Sequence, residues 1–69
     1  MQIKAYSKKE LAVAYSPEVS VGTALNRLAG WIALNPYLSD ELSALGYQKS
    51  QRIFTVKMVE RIFHHLGEP

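Results

Sequence analysis

Residues 7–34 read SKKELAVAYSPEVSVGTALNRLAGWIAL, and this stretch decides the fold. Ser7 stands three residues before Glu10, the spacing of a capping box. In that motif the hydroxyl accepts a backbone N–H from the first turn, and the carboxylate reaches back to the cap. Leu11, Ala14 and Tyr15 follow at helical spacing. Pro17 ends this helix, because the residue before a proline is pushed towards extended geometry. Ser20 caps a second helix. Along it Val21, Leu25, Leu28 and Ile32 form one stripe at steps of four, three and four, flanked by Ala24 and Trp31. A short helix, a link of about five residues and a longer helix is the layout of a helix-turn-helix.

Beyond the pair, Asn35-Pro36 reads as an N-cap followed by proline at the first helical position. Leu38, Leu42 and Leu45 mark a third helix, and Gly46 suits a left-handed closure. Thr55 caps a last helix whose Val59, Ile62, Phe63 and Leu66 follow the i, i+3, i+4, i+7 pattern, stopped by Gly67 and Pro69. Residues 47–54 are loop or short strand. Arg52-Ile53-Phe54 is β-leaning and is a candidate to pair with the N-terminal segment. The expectation is a mostly α fold: a compact bundle of about four helices with a helix-turn-helix-like N-terminal pair. One small two-stranded β element is expected from residues 2–6 with 51–54. Trp31, Phe54 and Phe63 fall at core-like positions, and Tyr6, Tyr15, Tyr37 and Tyr47 are expected half-buried.

The totals bound the rest. Sixty-nine residues, 48% of them hydrophobic, make one domain, 1–69, with a single core. No cysteine is present, so neither disulfides nor thiolate metal sites brace it. The apolar run Leu28 to Leu34 is far shorter than the ~20 residues of a membrane span. Lys4 is followed by a polar stretch rather than the apolar core of a signal peptide. The expected location is therefore the cytoplasm.

Catalytic signatures are missing. His64 and His65 are adjacent, so on a helix they point about 100° apart and cannot grip one metal together. Glu60 lies four residues before His64, but no third ligand accompanies them. No serine sits in a Gly-x-Ser-x-Gly elbow. The four glycines are isolated, so no phosphate-cradling loop exists. Asp40 and Glu41 suit a helix start. The expectation is a protein that is not an enzyme and that needs no cofactor or metal.

Charge is more informative. The net charge is +2 and the isoelectric point about 9.1. Lys49, Arg52, Lys57 and Arg61 stand against Glu60 alone in residues 47–61, and Lys4, Lys8 and Lys9 stand against Glu10 in residues 1–10. With Leu28 at the centre of the buried stripe, Thr23, Asn26, Gly30 and Ala33 fall on the opposite face of the second helix, with Arg27 at its border. Thr and Asn hydrogen-bond base edges, and Arg reaches guanine or phosphate. Lys8, Lys9, Lys49 and Arg52 are placed to hold phosphates. The candidate nucleic-acid contacts are thus Lys8, Lys9, Thr23, Asn26, Arg27, Lys49 and Arg52, and the candidate partner is double-stranded DNA. Lys57, Arg61 and His64 share one face of the last helix and are a candidate extension of the basic patch. None of the aromatics forms an exposed stacking platform for single strands. The small-residue strip Gly22, Asn26, Gly30 and Ala33 equally suits a partner protein or a second copy of the chain, as do apolar residues near Trp31 and Leu34.

Several runs together carry a resemblance. They are Ile3-Lys4-x-Tyr6-Ser7-Lys8-Lys9-Glu10-Leu11-Ala12-x-x-Tyr15, Leu28-x-x-Trp31-Ile32, Asn35-Pro36, Leu42-x-x-Leu45-Gly46-Tyr47, Arg52-x-Phe54-Thr55, Val59-x-x-Ile62 and the ending Leu66-Gly67-Glu68-Pro69. This combination resembles a family of small bacterial proteins of unknown function over nearly the whole chain. A weaker similarity runs to winged helix-turn-helix regulators of the MerR and excisionase type, through Glu10-Leu11-Ala12, Ser20 and Arg52-Ile53-Phe54-Thr55. That similarity implies a second helix entering the major groove and a 47–54 loop touching the DNA backbone. The chain departs from this pattern in its weakly basic recognition face and in the helix from Pro36 to Leu45.

Overall fold

The computed structural model describes residues 1–69. Four helices and a two-stranded ribbon follow in the order β1 (Tyr6–Ser7), α1 (Lys8–Tyr15), α2 (Val21–Leu34), α3 (Pro36–Ala44), β2 (Ile53–Phe54) and α4 (Val56–Leu66). Each helix begins where a cap dictates. Ser7 Oγ accepts from Glu10 N–H (3.0 Å) while Glu10 Oε1 accepts from Ser7 N–H (3.1 Å), closing the capping box. The Ser7 backbone N–H first, then the Ser7 hydroxyl, with Lys4 nearby, hold the Glu10 carboxyl below the usual carboxylate range. Ser20, Asn35 and Thr55 cap α2, α3 and α4 more simply, each side chain accepting one first-turn backbone N–H.

The ends are equally local. At the close of α3, Gly46 has φ 89°, its N–H donates to Ser43 O, and Tyr47 N–H donates to Leu42 O. These are the two bonds of a Schellman motif, and they turn Tyr47 back onto the bundle. Gly67, at φ 82°, closes α4. Tyr15 Oη donates to Gly67 O, fastening this end to α1. Burial first, and Glu68 second, push the Tyr15 phenol to about 12.

The ribbon is antiparallel, pairing Tyr6 with Phe54 and Ser7 with Ile53. It is shorter than residues 2–6 with 51–54 suggest. Ladder pairing starts only at Tyr6, whose hydroxyl donates to Gln2 O, so the preceding residues curl beside it instead of extending. Lys8 N–H donates to Arg52 O (2.8 Å), which continues the link from the ribbon into α1.

Thirteen buried side chains form the core, drawn from all four helices and both strands. α1 packs chiefly on α2, and α4 closes the other side against α3 and β2. The buried line of α2 is Ala24, Leu28 and Ile32. Val21, expected on that line, is 41% exposed because it sits in the first turn, beyond the reach of α1. Trp31, expected in the core, is 38% exposed and packs edge-on against Tyr15 at 6.0 Å. Leu45 lies outside because it is the C-cap of α3. Tyr6 is buried and Tyr37 is 75% exposed, so neither is half-buried. No helix is long and apolar enough to cross a membrane.

Candidate nucleic-acid interface

Two structural features bring distant basic residues together. The ribbon places Arg52 beside the start of α1, where Lys8 and Lys9 stand. The Schellman turn sends residues 47–52 back across α2. That loop is braced internally: Gln51 Oε1 accepts from Gln48 N–H (3.1 Å) and Gln51 Nε2 donates to Ile53 O (2.9 Å). Lys8 stitches it to α1. Its Nζ donates to Lys49 O (2.7 Å) and lies 5.0 Å from the centroid of the Tyr47 ring, whose other neighbour is the stacked ring of Phe54 at 5.5 Å.

Between this loop and α2 runs a groove of about 410 Å³. Lys8, Lys49, Arg52 and Asn26 line it, and its apolar floor combines Leu25, Ala29 and Ile32 of α2 with the Tyr47 and Phe54 rings. It shares Lys8, Leu25 and Arg52 with a second depression, of about 490 Å³, that Lys9 also lines. It shares Ala29, Ile32, Tyr47 and Lys49 with a third, of about 260 Å³, towards Ser39 and Ser43 of α3. The shared walls make one continuous track along α2. No Asp or Glu lines any part of it. Three ion pairs use the N-terminal amine, Arg27 and Arg61, and His65 Nε2 meets Glu41, so Lys8, Lys9, Lys49 and Arg52 have no acidic partner. A concave, acid-free track with cations on its border favours a polyanion, because field lines focus in such clefts.

Five of the seven sequence candidates therefore converge: Lys8, Lys9, Asn26, Lys49 and Arg52. Thr23 and Arg27 lie on the exposed side of α2 but line none of the track. Thr23 Oγ1 accepts from Ser20 Oγ (3.0 Å). Arg27 Nη1 donates to Glu18 Oε1 (2.7 Å), which fills the role of partner that a phosphate would otherwise take. The Glu18 carboxyl is held below its ordinary value, by its own backbone N–H first and then by Arg27. Tyr47 and the floor residues were not candidates from sequence. The signal for Tyr47 was its place directly after a helix-closing glycine, where an apolar residue commonly returns to the helix.

The expected extension of the basic patch along α4 is interrupted. Arg61 donates to both oxygens of Glu41 (Nε 2.9 Å, Nη2 3.2 Å), and His65 Nε2 lies 2.8 Å from the same carboxylate. This cluster ties α4 to α3. Arg61 first, and His65 second, lower the Glu41 pKa, and Glu41 raises that of Arg61. A depressed carboxylate contributes stability that is present above its unfolded value of 4.5 and is lost as pH falls through the folded value. Glu41→Gln is therefore expected to melt a few degrees below the parent at neutral pH. The gap should close as pH drops below 4.5, which thermal melts followed by circular dichroism would read. A gap that stays undiminished however far pH falls below 4.5 contradicts this role for the cluster.

The site and fold define a small four-helix domain with a two-stranded ribbon and a basic track beside its second helix. The chain belongs to the family described as Domain of unknown function (DUF4248), whose profile matches residues 2–69. Among curated proteins and among solved structures, nothing matches the chain.

Proposed function

We propose that the protein is a DNA-binding accessory or regulatory factor of the helix-turn-helix kind, working by binding and not by catalysis. The observation that carries this is the convergence of Lys8, Lys9, Lys49 and Arg52, none with an acidic partner, beside the α2 face that presents Asn26. The cations contact phosphates of double-stranded DNA and set register, and Asn26 supplies a donor and an acceptor for a base edge. The weak sequence similarity to MerR and excisionase regulators, through Glu10-Leu11-Ala12, Ser20 and Arg52-Ile53-Phe54-Thr55, points to the same use of α2 and of the 47–54 loop. Thr23 and Arg27 extend the contact face if the DNA spans beyond the track.

One observation favours a second reading, a protein-interaction module or homodimer without nucleic-acid binding. Leu34 is 84%, Tyr37 75% and Trp31 38% exposed around the α2–α3 corner, on a different part of α2 from the basic track. Exposed apolar clusters of this kind mark protein contacts. Backbone amide shifts recorded during titration with a mixed-sequence duplex separate the two. The DNA reading expects changes at Lys8, Lys9, Asn26, Lys49 and Arg52. Absence of changes there, together with concentration-dependent sedimentation and changes at Trp31 and Leu34, would support the second reading instead.

A further inference from the structure

The track has a feature that phosphate contacts alone do not use. Its cations stand beside an apolar floor that includes aliphatic and aromatic side chains. A perfect duplex is convex and keeps its bases stacked inside, so it touches the border and leaves the floor in contact with water. A base that has left the stack is a flat, largely apolar plate with polar edges, and nucleic-acid-binding proteins bury such bases by covering their faces.

We propose that the groove between α2 and the 47–52 loop accepts one unpaired base of the bound DNA, so that the protein prefers DNA carrying an unstacked nucleotide to a perfect duplex. This rests on the DNA-binding reading above. The base lies over Leu25, Ala29 and Ile32, within reach of the Asn26 carboxamide. The phosphates on its two sides meet cations at both ends of the groove. Arg52 stands on the side shared with the Lys9 depression, Lys49 on the side shared with the α3 depression, and the Lys8 ammonium lies between them at Lys49 O. Of the two aromatic rings that line the groove, Tyr47 is already engaged by the Phe54 ring and the Lys8 ammonium, so the rings offer no open platform of the kind general single-strand binders use. The groove is thus suited to a single inserted base and not to a run of stacked ones.

The test compares three fluorescent DNA probes of one sequence by anisotropy at fixed salt: a perfect duplex, the same duplex with one unpaired nucleotide, and the single strand. The bulged duplex is expected to bind about tenfold more tightly than the perfect one. Ala29→Phe fills the floor from an exposed helical position that tolerates the larger side chain, and it should bring the bulged probe down to the affinity of the perfect duplex. Equal affinity for bulged and perfect duplex overturns the base-insertion proposal and leaves the DNA reading standing. Equal loss on both probes in Ala29→Phe does the same. Failure of all three probes to bind at low salt overturns the DNA reading itself. Tighter binding of a polyglutamate peptide than of any probe assigns the groove to an acidic protein segment and overturns both.

Discussion

The double variant Lys49→Ala/Arg52→Ala is expected to lose roughly ten- to thirtyfold in affinity for duplex DNA at ~0.1 M salt, and its salt dependence should flatten. Each cation that neutralises one phosphate releases a counterion and adds about 0.9 to the slope of log affinity against log salt, so the pair should remove about 1.8. Both residues are exposed and neither takes part in an ion pair, so their removal leaves the fold intact. Arg27→Ala supplies an internal comparison. Its guanidinium is already engaged by Glu18, so its loss should change affinity several-fold less than the double variant. If Arg27→Ala proved as damaging as the double variant, the DNA would sit further along the exposed side of α2 than the track allows. Unchanged affinity in all of these variants would dismiss the contact assignment altogether.

Phe54→Ala is expected to unfold most of the population at 37 °C. Phe54 is 1% exposed, belongs to β2, pairs with Tyr6 across the ribbon and stacks on Tyr47. Truncating a buried phenylalanine costs about 3–5 kcal/mol, from lost burial and the cavity left behind. A single core in a domain of this size rarely supplies more than about 3–5 kcal/mol in total, and no disulfide adds to it. Far-UV circular dichroism against temperature reads the result directly. A cooperative melt within a few degrees of the parent would mean that the ribbon and α4 hold without this side chain. Phe54→Leu keeps most of the volume and should retain a cooperative, lowered transition. The same ring backs Tyr47, which walls the track, so the core and the candidate site share one support.

What the sequence made legible was the local layer. Ser7 with Glu10, Ser20, Asn35-Pro36, Thr55, Gly46 and Gly67 all act within a turn of their own position, and each starts or stops a helix as its chemistry requires. The candidate pairing of the N-terminal segment with residues 51–54 also holds, in shortened form. What stayed hidden depends on which helix face meets which neighbour. Trp31 sits beside a buried stripe, but α1 is only eight residues long and does not cover it. The Glu18–Arg27 pair spans the α1–α2 link, and Glu41 meets Arg61 and His65 across two helices. The helical face places Arg27, and the local charge excess places Arg61, on an open surface, because neither signal carries information about folded-state partners. Five of the candidate contacts were named from charge and residue type. That they share a groove with an apolar floor depends on where the Tyr47 turn and the ribbon carry the 47–52 loop relative to α2, a long-range placement that no local signal encodes.

The central claim is that the face bordered by Lys8, Lys9, Lys49 and Arg52 binds DNA. The most direct measurement is a titration of the unmodified protein into fluorescent mixed-sequence duplex, by anisotropy, at low and at near-physiological salt. Saturable binding is expected at low salt, weakening steeply as salt rises, as several phosphate contacts require. No binding even at low salt would contradict it, and the exposed Trp31, Leu34 and Tyr37 corner would then become the surface to pursue.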